Sequence, residues 1–256
     1  MECLRTAYTE VWTTPAVVPL IRFAGRVEAI PATGLNLLEI PDVALPEQLV
    51  PRLRSFESIV SWYGSGREEF RRRVAELQLP FTFFPALPET GGNLPAVDFY
   101  HHQARTLTDI PAHPPLVPHI PCARREEGFA VVHPFAGSRA KEWPLERFRE
   151  LAEQLGCEMP VRWCAGPEDR LEGAVRIGDL GALAEWIARA RVFIGNDSGI
   201  GHLAAAVGTP VVALFGPTNP AVWAPRGDRV AVARAGLQMT DLPVSMVVEK
   251  VWHLLR

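Results

Sequence analysis

One stretch restricts the fold more than any other: residues 193–220, FIGNDSGIGHLAAAVGTPVVALFGPTNP. Val192 to Ile194 is an apolar run of strand length, and Gly195-Asn196-Asp197-Ser198-Gly199 is a sharp polar turn. A small-residue helix follows, and then a second apolar run from Val211 to Phe215. Two buried strands joined by a turn and a helix call for a parallel sheet covered by helices. Asp197 or Ser198 is placed to accept hydrogen bonds from the first N–H groups of the helix. Gly199 and Gly201 put no side chain over the helix entrance, so a ligand can approach the backbone. A helix N-terminus has unpaired N–H groups and about half a positive charge, which suits a phosphate or diphosphate. His202, in the first turn, is expected to point back toward the same anion. A bare Asp-Ser-Gly equally fits an ordinary capped helix with no ligand.

The alternation is regular from Phe129 onward. Phe129 to His133, Val161 to Ala165 and Arg229 to Ala233 read as strands. Pro144 to Leu155 with Gly156 as its stop, Leu180 to Ala190, and Val244 to Leu255 read as helices. Ligands of such sheets bind beyond the carboxyl ends of the strands, where the loops with Gly137-Ser138, Gly166-Pro167-Glu168 and Asp197-Ser198-Gly199 all fall. Upstream the pattern is less regular. Thr9 to Ala24 reads as an apolar helix interrupted at Pro15 and Pro19, with Gly25 as its stop. Arg26 to Pro31, Ser58 to Trp62 and Phe81 to Phe84 read as strands; Gly66 to Gln78 and Pro95 to Leu107 read as helices. Pro111, Pro114, Pro115, Pro118 and Pro121 precede Arg124-Arg125-Glu126-Glu127. A proline-rich segment is extended and semi-rigid, so 111–127 is expected to link an N-terminal domain, 1–110, to a C-terminal one, 128–256.

Composition excludes several functions. A net charge of −3 gives no field for nucleic acid. No apolar run reaches about 18 residues and no signal pattern opens the chain, so a soluble cytosolic protein is expected. Cys3, Cys122, Cys157 and Cys164 lack CxxC spacing and read as free thiols in a reducing compartment. His101 and His102 lack partners at zinc-like spacing, so no metal site is expected. The run Arg67, Arg71, Arg72, Arg73 can be imagined docking an acidic lipid or phosphorylated acceptor. Glu68, Glu69 and Glu76 make it read as a solvated helix face.

Taken whole, Asn196 to Pro220 resembles the signature of the ADP-heptose:lipopolysaccharide heptosyltransferase family, glycosyltransferase family 9. That signature is N-D-S/T-G-x-x-H-L-A-A-A-x-G-x-P-x-V-x-L-F-G-x-T-x-P, and every specified position is matched. His133 to Pro144 is similar to the family's H-P-x-x-x-S-x-x-K-x-W-P segment. Cys164 to Asp169 resembles its G-G-P-x-E loop, with Ala165 in place of the first Gly. The resemblance implies an α/β, GT-B-like protein of two Rossmann-like domains whose parallel sheets face across a cleft. It implies an inverting, metal-independent transfer with no cofactor. The implied partners are a nucleotide-sugar donor, ADP-heptose, and a glycan or glycolipid acceptor of the lipopolysaccharide core or a related envelope glycan. Peripheral contact with the cytoplasmic face of the inner membrane belongs to the same expectation.

The implied donor site consists of Gly137, Ser138, Lys141, Glu168, Asp197, Ser198, Gly199 and His202. Lys141 and Asp197 are its catalytic candidates. Ser138 and the backbone near Gly137 can donate to phosphate oxygens, and Lys141 can supply a cation to the leaving diphosphate. Only Lys141 and Lys250 are lysines in the whole chain, which sets Lys141 apart from an ordinary surface lysine. Trp143 is assigned to packing. Glu168 corresponds to the acid that accepts from ribose hydroxyls, although Asp169 leaves that choice open by one residue and a turn cap is an alternative. Asp197 should cap the helix or hold hydroxyls of the transferred sugar, since two anions at the diphosphate would repel.

Family members begin with a strand and an acidic Gly-containing loop that presents the general base. Here the N-terminal domain is expected to lack that first strand, leaving Glu10, Glu28 or Asp98 as possible substitutes. Two functional readings follow: an active transferase, or a non-catalytic nucleotide-sugar-binding protein. A sugar-nucleotide epimerase would share the fold but not the Asn-Asp-Ser-Gly string.

Overall fold

In the computed structural model, which describes residues 4, 8–107, 116–123 and 127–256, residues 10 to 13 form a strand rather than a helix. β1 (Glu10–Thr13) pairs in parallel with β2 (Arg26–Ala29), with Val11 opposite Val27. A six-residue 3-10 helix, Pro15–Leu20, follows β1. The helix expected over Thr9 to Ala24 therefore does not form. Val11, Trp12 and Thr13 favour an extended backbone, and Pro15 and Pro19 remove N–H groups that an α-helix would need.

Two compact units make up the chain: Met1–Gly92 with Phe99–Pro111, and Asn93–Asp98 with Ala112–Arg256. After β2 come α1 (Ile30–Thr33), α2 (Leu49–Arg54), β3 (Ile59–Ser61), α3 (Glu68–Glu76), β4 (Phe81–Phe83) and α4 (Ala96–Arg105). β3 and β4 form a second parallel pair, and among the described residues it is not hydrogen-bonded to the β1–β2 pair. Leu38, Leu53, Phe70 and Val74 centre the core of this unit. On α3, Arg72 pairs with Glu69 and Glu76, and Arg73 reaches Glu76 at 3.3 Å. Arg67 pairs with Glu39. The basic run is thus a solvated, internally balanced face. Among the described residues no cluster of three or more His, Cys, Asp or Glu could hold a metal ion.

Residues 111–115 and 124–126 of the proline-rich segment lie outside the described residues, as does Cys3. Its described part, 116–123, has no helix or strand, and the Ile120 N–H donates to the Ala206 carbonyl at 2.8 Å. Cys157 and Cys164 are free thiols.

The second unit is built on five parallel strands. Its elements are β5 (Ala130–His133), α5 (Leu145–Gly156), β6 (Val161–Trp163), α6 (Leu180–Ile187) and β7 (Val192–Asn196). They continue as α7 (Gly199–Ala206), β8 (Val211–Leu214), α8 (Pro220–Trp223), β9 (Val230–Ala233) and α9 (Val244–Leu255). Every residue of β5, β7 and β8 is buried, as apolar runs without alternation require in a sheet covered on both faces. Phe148, Leu151 and Leu155 of α5 and Val247 and Val251 of α9 pack with Val132, Ile194 and Val212 of the sheet. α7 lies against β7 and β8 and meets α6. Gly156, expected as a stop, is the last residue of α5. Gly208 has φ 81° and ends α7, with the Thr209 N–H returning to the Ala204 carbonyl at 3.1 Å.

Strand order is β6-β5-β7-β8-β9. The chain leaves β5 for β6 on one side and comes back to β7 on the other. The carboxyl ends of β5 and β7 are therefore a topological switch point, where open α/β sheets bind ligands.

Candidate functional site

Two loops meet at this switch point, residues 134–144 after β5 and 197–198 after β7. Asn196, the last residue of β7 and 1% exposed, ties them together. Its Oδ1 accepts from the Trp143 N–H at 3.0 Å and its Nδ2 donates to the Pro134 carbonyl at 2.8 Å. Trp143 is buried, donates its indole N–H to the Leu242 carbonyl at 2.9 Å and packs edge-on against Phe148. Both ends of the first loop are thereby fixed to the sheet. Between them Gly137 and Ser138 are exposed, and Ser138 opens the 3-10 turn Arg139–Lys141.

That turn aims Lys141 across the crevice. Its Nζ lies 3.3 Å from Asp197 Oδ2. The same oxygen accepts from the Thr218 hydroxyl at 2.9 Å. Asp197 is 8% exposed, so its charge is balanced by one ammonium and one hydroxyl rather than by water.

The expected helix cap is absent. Ser198 is the N-cap of α7 with extended backbone angles (φ −152°, ψ 159°), yet neither it nor Asp197 accepts from the first turn. Ser198 Oγ is instead buried without a hydrogen-bond partner. The leading N–H groups of α7 have no intrahelical carbonyl to bond. Gly199 is exposed, and a Cβ built there would meet nothing within 4 Å. Packing does not ask for this glycine; the space in front of the helix is open.

His202 sits one turn in. Burial lowers its pKa against the opposing pulls of Asp197 and the Trp223 backbone. Its ring lines a cavity of about 280 Å³ with Pro220, Pro225 and Arg226. In the third loop Asp169 Oδ2 accepts from the Gly166 N–H at 2.8 Å and closes the turn. Glu168 is left exposed, with no hydrogen bond to a described residue. Asp169 therefore has the turn-closing role, and Glu168 stands exposed beside it.

His133, under the first loop, stacks on Phe193 with centroids 6.3 Å apart, and burial pushes its pKa down to about 4. An unfolded chain takes up that proton near pH 6.5, before the folded chain does. The associated stability is complete above pH 6.5 and drains away as pH falls, by about 2 kcal/mol between pH 6.5 and about 5. His133→Leu should therefore flatten the fall in urea midpoint between neutral and mildly acidic pH. An unaltered slope would show that His133 is not its source.

Residues 98–244 match the family model described as glycosyltransferase family 9 (heptosyltransferase). The chain belongs to glycosyltransferase family 9. Lipopolysaccharide heptosyltransferase 1 of Pseudomonas aeruginosa is 37% identical over 93 residues, which cover 31% of this chain and 26% of the relative. The match thus spans about a quarter of that relative's length. The structure of Escherichia coli ADP-heptose lps heptosyltransferase II superposes with a TM-score of 0.72 at 19% identity, covering 97% of this chain and 89% of that one. E. coli heptosyltransferase WaaC with ADP gives 0.68 at 16%, covering 96% and 89%. These structures share the fold, the GT-B type of α/β protein with parallel sheets.

Within the family 9 string, sequence reasoning named Asp197, Ser198, Gly199 and His202 but gave no role to Asn196 or Thr218. Both stand at specified positions of the signature, so the signal was present without its meaning. The candidate bases are all engaged by arginine. Arg52 pairs with Glu10 and, at 2.5 Å, with Glu28. Burial works to raise the Glu10 pKa, but hydrogen bonds from Tyr8, Arg52 and Trp12 outweigh it and hold it low. Asp98 is gripped by Arg226 through two bonds of 2.5 and 2.7 Å.

Proposed function

We propose that the protein is an inverting, metal-independent glycosyltransferase. In this reading it moves heptose from ADP-heptose to a lipopolysaccharide-core or related envelope glycan. The observation that carries it is the convergence at the switch point of the Lys141 ammonium, the uncapped N-terminus of α7 and the orphaned Ser198 hydroxyl. The Ser198 hydroxyl and the leading N–H groups of α7 lack acceptors, and Lys141, held by Asp197 at 3.3 Å, adds positive charge beside them, which together suit a diphosphate. The family match and the names of the relatives point to the same donor class.

The acceptor hydroxyl attacks the anomeric carbon as the bond from that carbon to the diphosphate oxygen breaks, and the hydroxyl proton passes to a base. Negative charge grows on the departing diphosphate. Lys141, the Ser198 hydroxyl and the N–H groups of Ser198 and Gly199 are preorganised to receive it, and removal of one such donor typically costs ~3 kcal/mol. Gly137 and Ser138 reach the phosphates from the opposite loop. Glu168 takes ribose hydroxyls. Asp197, held by Lys141 and Thr218, presents its other oxygen to hydroxyls of the sugar, and His202 borders the same space. No described helix is long and apolar enough to cross a membrane. We place the reaction in the cytoplasm, with the glycolipid acceptor met at the inner-membrane face.

Because Lys141 and α7 fill the cation's role, ADP binding measured by calorimetry should be unchanged by EDTA. A strict need for magnesium or manganese would contradict the assignment. The engagement of Glu10, Glu28 and Asp98 by arginines favours a second reading, a nucleotide-sugar-binding protein with slow or no transfer. Mass spectrometry of products from ADP-heptose and candidate acceptors separates the two. A heptosylated product supports the transferase, and tight ADP binding without any product supports the binder.

A further inference from the structure

Thr218 lies between β8 and α8 in a loop that is fixed on both sides. The Phe215 N–H donates to the Ala233 carbonyl at 2.9 Å, and Asn219 Oδ1 accepts from the Ala221 N–H at 3.0 Å. Gly216 is pressed on Met239, where a Cβ would come within 2.7 Å of the sulfur. The loop therefore delivers the Thr218 hydroxyl to a set position, and that position is Asp197 Oδ2. A carboxylate accepts only, so the hydroxyl donates.

The two bonds to this oxygen are unequal. Thr218 makes the short one, 2.9 Å, and Lys141 the long one, 3.3 Å. A carboxylate facing a lone ammonium in a largely buried site draws it to about 2.7–2.9 Å. Here the hydroxyl meets part of the acceptor's demand and the ammonium stands off.

We infer that Thr218 is a positioning residue: its hydroxyl shares Asp197 Oδ2 with Lys141 and keeps the ammonium free to turn toward a leaving diphosphate. This rests on the function proposed above. Without the hydroxyl, Asp197 and Lys141 close into a tight pair, and the ammonium is withheld from the charge that develops as the sugar departs. An interaction that strengthens only in the transition state is lost from kcat rather than from KM.

The test compares wild type, Thr218→Val and Thr218→Ser, with Thr218→Ala in reserve should valine not be accommodated. Turnover is read as ADP released from ADP-heptose, which covers transfer to water as well as to a glycan. Thr218→Val is expected to lower kcat about tenfold, less than the ~10²-fold cost of a full 1 Å misplacement, with KM changed by less than about twofold. Thr218→Ser, which keeps the hydroxyl and loses the methyl, should recover most of the rate. A packing role predicts the reverse order, so a serine variant as slow as the valine variant overturns the inference. So does an unchanged kcat in Thr218→Val. Wild type that binds ADP yet releases none from ADP-heptose also overturns it, leaving donor binding intact. Wild type that does not bind ADP in calorimetry overturns the proposed function and this inference together.

Discussion

Lys141→Ala is expected to lower the turnover of ADP-heptose by about 10²–10³-fold, the usual cost of deleting one preorganised donor from a site of developing charge. Affinity for ADP measured by calorimetry should also weaken markedly. Some stability should be lost with it, because Asp197 is 8% exposed and gives up its ammonium partner. The Lys141 side chain is 25% exposed, and Asp197, 3.3 Å from its ammonium, keeps Thr218 as a partner when the lysine is gone. Lys141→Arg should not restore the rate, because a planar guanidinium on a longer arm pairs with Asp197 in a different geometry. Equal affinity and rate in wild type and Lys141→Ala would remove this residue from the site.

Asn196→Ala is expected to cost about 4 kcal/mol of stability, since it leaves two buried backbone groups without partners at ~1–3 kcal/mol each. Those groups are the Trp143 N–H and the Pro134 carbonyl, at opposite ends of the loop that bears Ser138 and Lys141. Asn196→Asp separates the two bonds. It keeps the acceptor for Trp143, loses the donor to Pro134 and adds a buried charge, so it should be no better tolerated than alanine. Urea denaturation with the slope held constant gives the number. A loss below about 1 kcal/mol would mean that water or local repacking meets both groups. ADP affinity should fall in either variant, because both lose the tether at Pro134 and alanine also loses the one at the Trp143 N–H.

The sequence made the C-terminal unit legible because its periodicities are long and clean. α5 and α9 carry one apolar face each, and β5, β7 and β8 are short apolar runs between turn residues. Thr9 to Ala24 was misread because an apolar run with no period suits either helix or strand, and the tie is broken by pairing with Arg26–Ala29, which no local window contains. The three loops proposed to hold the donor were legible as strings. What they do to one another was not. Serine and aspartate before a helix carry the same propensity whether or not they cap it, and only the geometry shows Asp197 turned to Lys141 and Thr218. Asn196 as a clamp and Asp169 as a turn brace depend likewise on neighbours brought close by folding.

The bonds that assemble the site span long stretches of chain: 56 residues separate Lys141 from Asp197, and 62 separate Pro134 from Asn196. They join the ends of two paired strands, β5 and β7, between which the chain runs through α5, β6 and α6. Loop closure on that scale must be completed before such contacts return any energy. Helices should thus regain their circular dichroism signal early in refolding, while the ability to capture ADP returns with the slowest phase. Nucleotide binding becomes a clock for the docking of β7 against β5, and a chain arrested before that step would hold every residue of the site and none of the site.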